Sequence, residues 1–429
     1  MNFSDSEIVA SILSEQGYEL EPDIRAADIL FVNTCSIRDN AEQRVRKRLH
    51  YFRSFKKKNP GLIIGLLGCM AERTKNALVE EEQLLDLIAG PDSYRDLPHL
   101  LEQVESGQRA VNTILSLEET YAGITPVRLS SSGVTAFISI MRGCENYCSY
   151  CVVPSTRGQE RSRPADSIVQ ETRDLFGRGF REVTLLGQNV NSYEWHEDEK
   201  TVRFAELLTR VASVDPLMRI RFATSHPKDI SDELLHTIAA HPNLCKAIHL
   251  PVQSGSNRML GHMNRKYTRE QYLERIEAIR RIIPGCSIST DIIAGFCDET
   301  EEDHRETLSL MEQVQFDAAF MFRYSERPGT LAADRYDDNV PDEVKERRLR
   351  EVIELQNRLS AQSNRRDTGR VFDVLIESES KRSPDHWAGR NSQNKMVVFP
   401  KEGSRPGDYA TVRILRSTSA TLMGEAVAS

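Results

Sequence analysis

Three cysteines, Cys144, Cys148 and Cys151, stand in a CxxxCxxC spacing directly after an apolar, strand-like run from Val134 to Met141. Thiolates are the ligands of iron–sulfur clusters. Three from one short loop can hold three irons of a cubane [4Fe-4S] cluster, leaving the last iron open to a small chelating molecule. Structural zinc is the competing chemistry, but it usually takes four ligands, commonly from two short pairs, and no second short pair follows nearby. Two more thiols, Cys35 and Cys69, each follow the carboxyl end of a short apolar run, the edge where ligands of open α/β sheets collect. Without the triplet, two unrelated buried cysteines would be the simpler reading of that pair.

These side chains need elements to place them. Residues 1–112 alternate helical patterns with buried parallel-strand runs at Ile29 to Asn33, Leu62 to Leu67 and Leu87 to Ala89, which predicts an α/β, doubly wound N-terminal domain. Ser4-Asp-Ser-Glu7 reads as a capping box opening the first helix, and Gly17 as its stop. Periodicity weakens over residues 113–133, read as a linker ending in Ser130-Ser-Ser-Gly133. Residues 134–366 hold six strand candidates: Ala136 to Ile140, Val183 to Leu186, Ile220 to Ala223, Ala247 to Leu250, Ile288 to Ile293 and Ala318 to Phe322. Helical patterns such as Ser167 to Phe176 and Arg269 to Ile283 separate most of them, so six βα repeats predict a partial (β/α)6 barrel with its chemistry at the strands' carboxyl ends. The cysteine loop, Gly187-Gln-Asn189, Thr224-Ser-His226, Pro251-Val-Gln-Ser-Gly255 and Ala294-Gly-Phe296 all lie just past those ends and outline one mouth.

A charged helix, Asp342 to Arg366, leads into residues 367–429, where Val371 to Ile376, Lys395 to Phe399 and Ala410 to Leu415 read as strands of a small β-barrel. Nine Lys/Arg against seven Asp/Glu from Gly369 onward make this end basic within a chain of net charge −8. That overall charge argues against wrapping nucleic acid along the whole surface while leaving room for a local basic site. Arg44, Arg46, Lys47, Arg48, Arg53 and Lys56 to Lys58 form another basic run. Val45, Leu49 and Phe52 at helical spacing mark it first as an amphipathic helix with a solvated face. At 39% hydrophobic and 28% charged, the chain of 429 residues has a soluble globular composition, with no apolar run of membrane-spanning length and no secretory signal visible in Met1 to Gln16. Eight cysteines without a disulfide-framework pattern point to the cytoplasm.

Assembled, these motifs resemble the methylthiotransferases of the radical S-adenosylmethionine (SAM) superfamily, and within them the bacterial branch that modifies N6-dimethylallyladenosine in tRNA. The resemblance rests on Asn33-Thr-Cys-Ser-Ile-Arg38, Gly68-Cys69, the triplet with Thr156-Arg-Gly-Gln-Glu-Arg-Ser-Arg-Pro164, Leu185 to Tyr193, Thr224-Ser-His-Pro227, His249 to Gly255, Met263-Asn-Arg265 and Thr290 to Phe296. Residues 367–429 resemble the RNA-binding TRAM domain. Gly187-Gln-Asn-Val-Asn191 and His249-Leu-Pro-Val-Gln-Ser-Gly255 favour this branch over sister enzymes acting on a ribosomal protein aspartate or on threonylcarbamoyl-adenosine in tRNA. A non-catalytic RNA-binding protein braced by clusters is the reading from another class.

The resemblance implies two [4Fe-4S] clusters. One, on Cys144, Cys148 and Cys151, cleaves SAM to a 5′-deoxyadenosyl radical. The other, on Cys35, Cys69 and a third cysteine, presents sulfur. That third cysteine would fall just before Met1, so a short native N-terminus carrying it and a first strand is expected to precede this sequence. One SAM donates a methyl group, a second supplies the radical, and catalytic residues beyond the cluster ligands are not identified. Gln188 and Asn189 are expected at the methionyl amino end of SAM, Arg265 at its carboxylate, and Ser225, Gln253, Ser254 and Asp291 at ribose or carboxylate. Tyr147 and Tyr150 would flank the adenine or pack under the loop. The implied partners are a tRNA anticodon stem-loop, an electron donor and a cluster-repair or sulfur carrier protein, with Lys381, Arg382, Arg390 and Lys395 as phosphate contacts. Cys297 and Asp298 depart from a usual Pro-Gly in a turn, and Cys245, Cys286 and Cys297 are expected to be structural.

Overall fold

A computed structural model describes residues 1–35, 39–74, 84–129, 133–198, 200–401 and 403–427. Ser36 to Arg38 of the first cysteine motif, Ser130 to Ser132 of the expected linker, and the last two residues lie outside the described residues. The chain forms two compact units. One comprises Met1–Leu129, Met141–Tyr147 and Cys151–Arg163, and the other Ser130–Ile140, Cys148–Tyr150 and Pro164–Ser429.

In the first unit, parallel strands β1 (Ile29–Thr34), β2 (Ile63–Gly68), β3 (Leu87–Ala89) and β4 (Ala110–Asn112) pair in that order. The sequence reading lacked β4, whose three residues are too few to show a period. Helices α1 (Asn2–Glu15) and α3 (Leu97–Glu105) pack on one face through Ile8, Ile12, Leu97 and Leu101. Helix α2 (Asp39–Lys56) covers the other through Val45, Leu49 and Phe52. Both faces are therefore layered as a doubly wound sheet requires, and each strand reads as a continuous apolar run for that reason.

Two expectations change here. Helix α1 starts at Asn2, so Ser4 to Glu7 are interior helix residues and not a cap. Asp5 and Glu7 are instead buried and bind arginines, Asp5 with Arg142 and Arg157, Glu7 with Arg128. The expected linker is no free connector over its described part, because Tyr121 and Ile124 are buried in the first unit's core and Tyr121 donates its hydroxyl to the Pro91 carbonyl at 2.8 Å. Gly17, at φ 88°, does follow the end of α1.

In the second unit all six expected strands are present and parallel. β5 (Thr135–Ser139), β6 (Glu182–Leu186) and β7 (Arg219–Ala223) form one sheet, and β8 (Ala247–His249), β9 (Ser287–Ala294) and β10 (Ala318–Arg323) another. A parallel bridge between Ile220 and Leu244 joins them into the wall of a partial barrel. The charged helix Asp342–Arg366 runs along β10 and into a closed five-stranded barrel, β11 (Val371–Ser380), β12 (Ser383–Arg390), β13 (Met396–Pro400), β14 (Tyr409–Ser417) and β15 (Leu422–Ala426). Ser383 to Asp385, a Ser-Pro-Asp string of turn-forming residues, opens β12. Its Pro384 lacks an N–H, yet the side-chain pattern from Trp387 onward carries the strand.

Candidate active site

The cysteine loop is pinned at both ends. In the first unit Met141–Arg142 pairs antiparallel with Arg161–Ser162, and the Cys144 N–H donates to the Gly158 carbonyl at 3.2 Å. Gly143 sits at φ 80°, and any Cβ there would overlap the Gln159 carbonyl oxygen, so the loop closes only around glycine. In the second unit Ser149 donates its N–H to Met263 O at 3.0 Å and its hydroxyl to His262 O at 2.7 Å.

All eight cysteines are thiols, not disulfides. Each sulfur of the triplet accepts a hydrogen bond: Cys144 from Asn146 Nδ2 at 3.4 Å, Cys151 from the Val153 N–H at 3.5 Å, and Cys148 from Arg265 Nη1 at 3.1 Å. Donors aimed at sulfur are the kind of outer contact that orients metal-ligating side chains. Among the described residues no three His, Cys, Asp or Glu side chains converge as a single metal ion would require. A cubane needs no such convergence, because each thiolate binds a different iron.

Cys35 and Cys69 follow β1 and β2 where Thr34 pairs with Gly68, so adjacent parallel strands deliver both to the same edge. Thr34 fastens that edge by donating its hydroxyl to Leu67 O at 2.6 Å and accepting the Met70 N–H at 3.2 Å. Beneath lies a buried network. Arg157 donates Nε to Cys69 Sγ at 3.2 Å and Nη2 to Asp5 at 2.6 Å. Arg142, fully buried, reaches Asp5 at 3.2 Å and Asp92 at 3.4 Å, and Arg161 binds Asp92 at 2.9 Å. Burial works against the Asp5 carboxylate, but Arg157 and Arg142 hold it below the usual range.

The second unit supplies polar side chains with nothing to bind. Both side-chain polar atoms of Gln188 and of Asn191, the Asn189 carbonyl oxygen and the Ser225 hydroxyl are buried without a hydrogen-bond partner. Buried polar groups are ordinarily satisfied, so a cluster of orphans at strand ends marks a place for a polar ligand. The Val190 N–H donates to Thr224 O at 3.0 Å, joining the two loops that carry them. From there His226 meets Tyr267 edge-on, with ring centroids 5.6 Å apart, and the Tyr267 hydroxyl accepts from Arg265 Nε at 2.9 Å. Burial, then the charges of Arg265 and Lys228, push the His226 imidazole down to about 2, so this ring stays neutral. Thr224 and Gln253 both hold left-handed backbone, at φ 74° and 73°, where non-glycine residues are uncommon and cluster at functional sites.

Other expected contacts have protein partners. Arg265 spends its donors on Cys148, Tyr267 and the Pro251 carbonyl, which makes it a support of the cysteine loop more than a carboxylate clamp. Ser254 bonds Thr307 at 3.2 Å, and Asp291 lies 3.5 Å from His249. Tyr150 packs edge-on against Phe296, whereas Tyr147 is exposed. In the small barrel Arg390 pairs with Glu377 at 2.6 Å and Lys395 with Asp367 at 2.7 Å, so their charge is already met, while Lys381 and Arg382 are exposed and pair with no carboxylate among the described residues. A cavity of about 380 Å³ opens between strands β7 to β10 and residues 390–396, with Phe320 and His249 edge-to-face on its wall.

Models of the radical SAM superfamily, of uncharacterized protein family UPF0004 and of the TRAM domain match residues 138–311, 1–90 and 365–427. A tRNA-2-methylthio-N(6)-dimethylallyladenosine synthase of Amoebophilus asiaticus is 58% identical over 437 residues, covering 99% of this chain and 90% of that protein. Its namesake from Chloroherpeton thalassium is also 58% identical, covering 100% of this chain and 94% of that protein. The chain belongs to the family these synthases form. In fold it is also similar to the radical SAM methyltransferase TsrM of Kitasatospora setae, at 16% identity and a TM-score of 0.58 over 77% of this chain and 72% of that one.

Sequence reasoning on the family motifs missed the arginine network and Asn191. Arg157 and Arg161 stood inside the quoted Thr156 to Pro164 motif, so the signal was present. Their partners Asp5 and Asp92 are distant in sequence and carry no pattern of their own.

Proposed function

We propose that this chain is a radical SAM methylthiotransferase that installs a methylthio group at C2 of N6-dimethylallyladenosine 3′ to the anticodon of tRNA, using two [4Fe-4S] clusters and SAM. The observation that carries the reading is the set of orphaned Gln188, Asn191 and Ser225 groups, linked through His226, Tyr267 and Arg265 to the sulfur of Cys148. When bound, the clusters and SAM supply the radical and sulfur chemistry that an inert aromatic C–H bond demands.

The protein's own part is positioning. Cys144, Cys148 and Cys151 hold the radical cluster and Cys35 and Cys69 the second. Gln188, Asn189, Asn191 and Ser225 give SAM the hydrogen bonds they lack in the protein, with Gln253 and Asp291 beside them. Arg265 and Arg157 each aim a guanidinium at a ligating sulfur. Exposed Phe320 offers a ring for an extruded base, which leaves its stack more cheaply in a hairpin loop than in a duplex. Exposed Lys381 and Arg382 suit phosphate contacts. Domain limits near residues 134 and 367, a cytoplasmic setting, an external electron donor and a sulfur carrier or repair protein complete the proposal. The last two answer the electron and the sulfur that each turnover consumes.

The test is anaerobic incubation of the full, cluster-reconstituted chain with SAM, a reductant and a dimethylallylated anticodon stem-loop, followed by nucleoside mass spectrometry. Methylthiolated nucleoside together with 5′-deoxyadenosine is expected. Neither product would overturn the reading, and 5′-deoxyadenosine alone would move the substrate elsewhere.

A further inference from the structure

Helix α2 is more than a solvated face. Between Arg44 and Lys58 the chain has no Asp or Glu, and seven Lys or Arg there, Arg44, Arg46, Lys47, Arg48, Arg53, Lys57 and Lys58, are exposed. Of the nearby carboxylates, Glu42 pairs with Arg73 at 2.7 Å and Asp86 with Lys56. Among the described residues Arg44, Lys47, Arg48, Lys57 and Lys58 pair with no carboxylate.

One exposed aromatic stands within this charge. Tyr51 is 48% exposed, braced edge-on by Phe55 with ring centroids 5.0 Å apart, and the Arg48 guanidinium lies 5.6 Å from its ring. Arg44, Lys47, Arg48 and Tyr51 share one flank at helical spacing, and Val45, Leu49 and Phe52 hold the opposite side against the sheet. The cations run over about 20 Å at 1.5 Å per residue. A cationic track with an interleaved ring is the make-up of a surface for nucleic-acid phosphates with stacking.

We propose that α2 and the Lys57–Lys58 turn form a second RNA contact, taking the phosphate backbone of the tRNA, with Tyr51 stacking on an accessible base. The inference rests on the tRNA reading above. An acidic redox protein would meet the same charge, but positive charge on both flanks of the helix, with a ring between cations, suits a polyanion better than discrete carboxylates.

Binding of the full reconstituted chain to tRNA is to be measured by fluorescence anisotropy across a salt series, with iron content and melting temperature as controls of folding. Each phosphate contact adds about 0.7 to 0.9 to the slope of log affinity against log salt. Arg44→Gln/Lys47→Gln/Arg48→Gln is expected to lower that slope by about 2 and weaken binding at least tenfold at low salt. Lys57→Gln/Lys58→Gln should lower it by about 1 to 2. Tyr51→Ala should weaken binding about tenfold with the slope unchanged. Folded variants that keep both wild-type slope and affinity overturn the proposal, as does a triple variant impaired only in its reduction by an acidic electron-transfer protein. Wild-type protein that binds no tRNA refutes the tRNA reading itself, which is a different result.

Discussion

Arg157 stands between two sets of cysteines. It sits six residues after Cys151, on the loop of the cysteine triplet, yet its Nε–H points at Cys69. Asp5 fixes the guanidinium from below at 2.6 Å, so the hydrogen bond to sulfur is made by a preset group with little freedom left to lose. Groups that hydrogen-bond a metal ligand typically change metal affinity about 10- to 100-fold when removed. Arg157→Ala should therefore shed iron from the second cluster while the triplet cluster remains, measured as iron per chain and by EPR of the reduced protein. Arg157→Lys should recover part of the iron, since Lys keeps the charge and loses the planar fork. An alanine variant with full iron and an unchanged spectrum would leave the arginine with a packing role only.

At the scale of elements, the strand-end loops are held by the helices behind them. The helix Glu301–Val314 begins with a capping box of Thr300 and Asp303. The same Asp303 carboxylate accepts the Ser256 hydroxyl at 2.6 Å and binds Arg258, tying the Gln253 to Ser256 loop to the helix start. Burial opposes its charge, but Arg258, Ser256 and Thr300 hold the Asp303 carboxyl well below its ordinary 3.8. The unfolded chain thus takes up this proton first as pH falls. The contribution to stability is complete above the usual carboxylate range and drains away below it. Asp303→Asn should cost roughly 1 to 3 kcal/mol near neutral pH, read by urea unfolding, and the gap to wild type should close as pH drops below about 4. It should also raise the KM for SAM, since the loop carrying Gln253 loses its anchor. Helices of this kind were legible only in part. The helical pattern of Arg269 to Ile283 and the charged helix Asp342 to Arg366 were read from the sequence, whereas the capping boxes at Thr268 and Thr300, equally local signals, went unread. What stayed hidden was partnership across distance, such as Lys395 with Asp367 and Arg142 with Asp92, because a charged residue in a sequence looks the same whether its charge is free or spent.

For the molecule as a whole, motif order told more than composition. The cysteine loop and the four strand-end motifs were placed correctly because each follows an apolar run whose length and flanks define a strand. The small barrel was legible as a class, yet its seat was not. That seat is polar and specific: Arg219 donates to the carbonyls of Arg390 at 2.6 Å and Asp373 at 3.2 Å, and stacks over the Tyr409 ring at 4.9 Å. The Tyr409 hydroxyl donates to Leu217 O at 3.0 Å, and Arg221 donates to Asn391 O at 2.8 Å. These contacts join β7 of the partial barrel to β11, β12 and β14 of the small one, so an RNA bound as proposed at Lys381 and Arg382 would be held in fixed register with the strand-end mouth. Loosening the seat should therefore separate binding from alignment. Arg219→Ala with Tyr409→Phe removes charge-assisted hydrogen bonds worth roughly 1.5 to 3 kcal/mol each at most and a neutral one worth about 1 kcal/mol, leaving both folds and the five cysteines of the two motifs in place. The expected outcome is a fall in methylthiolation of at least tenfold at saturating stem-loop, with RNA affinity changed less than threefold and with 5′-deoxyadenosine still formed. A variant whose product yield per 5′-deoxyadenosine matches wild type would show that the small barrel merely tethers RNA and that alignment is set elsewhere.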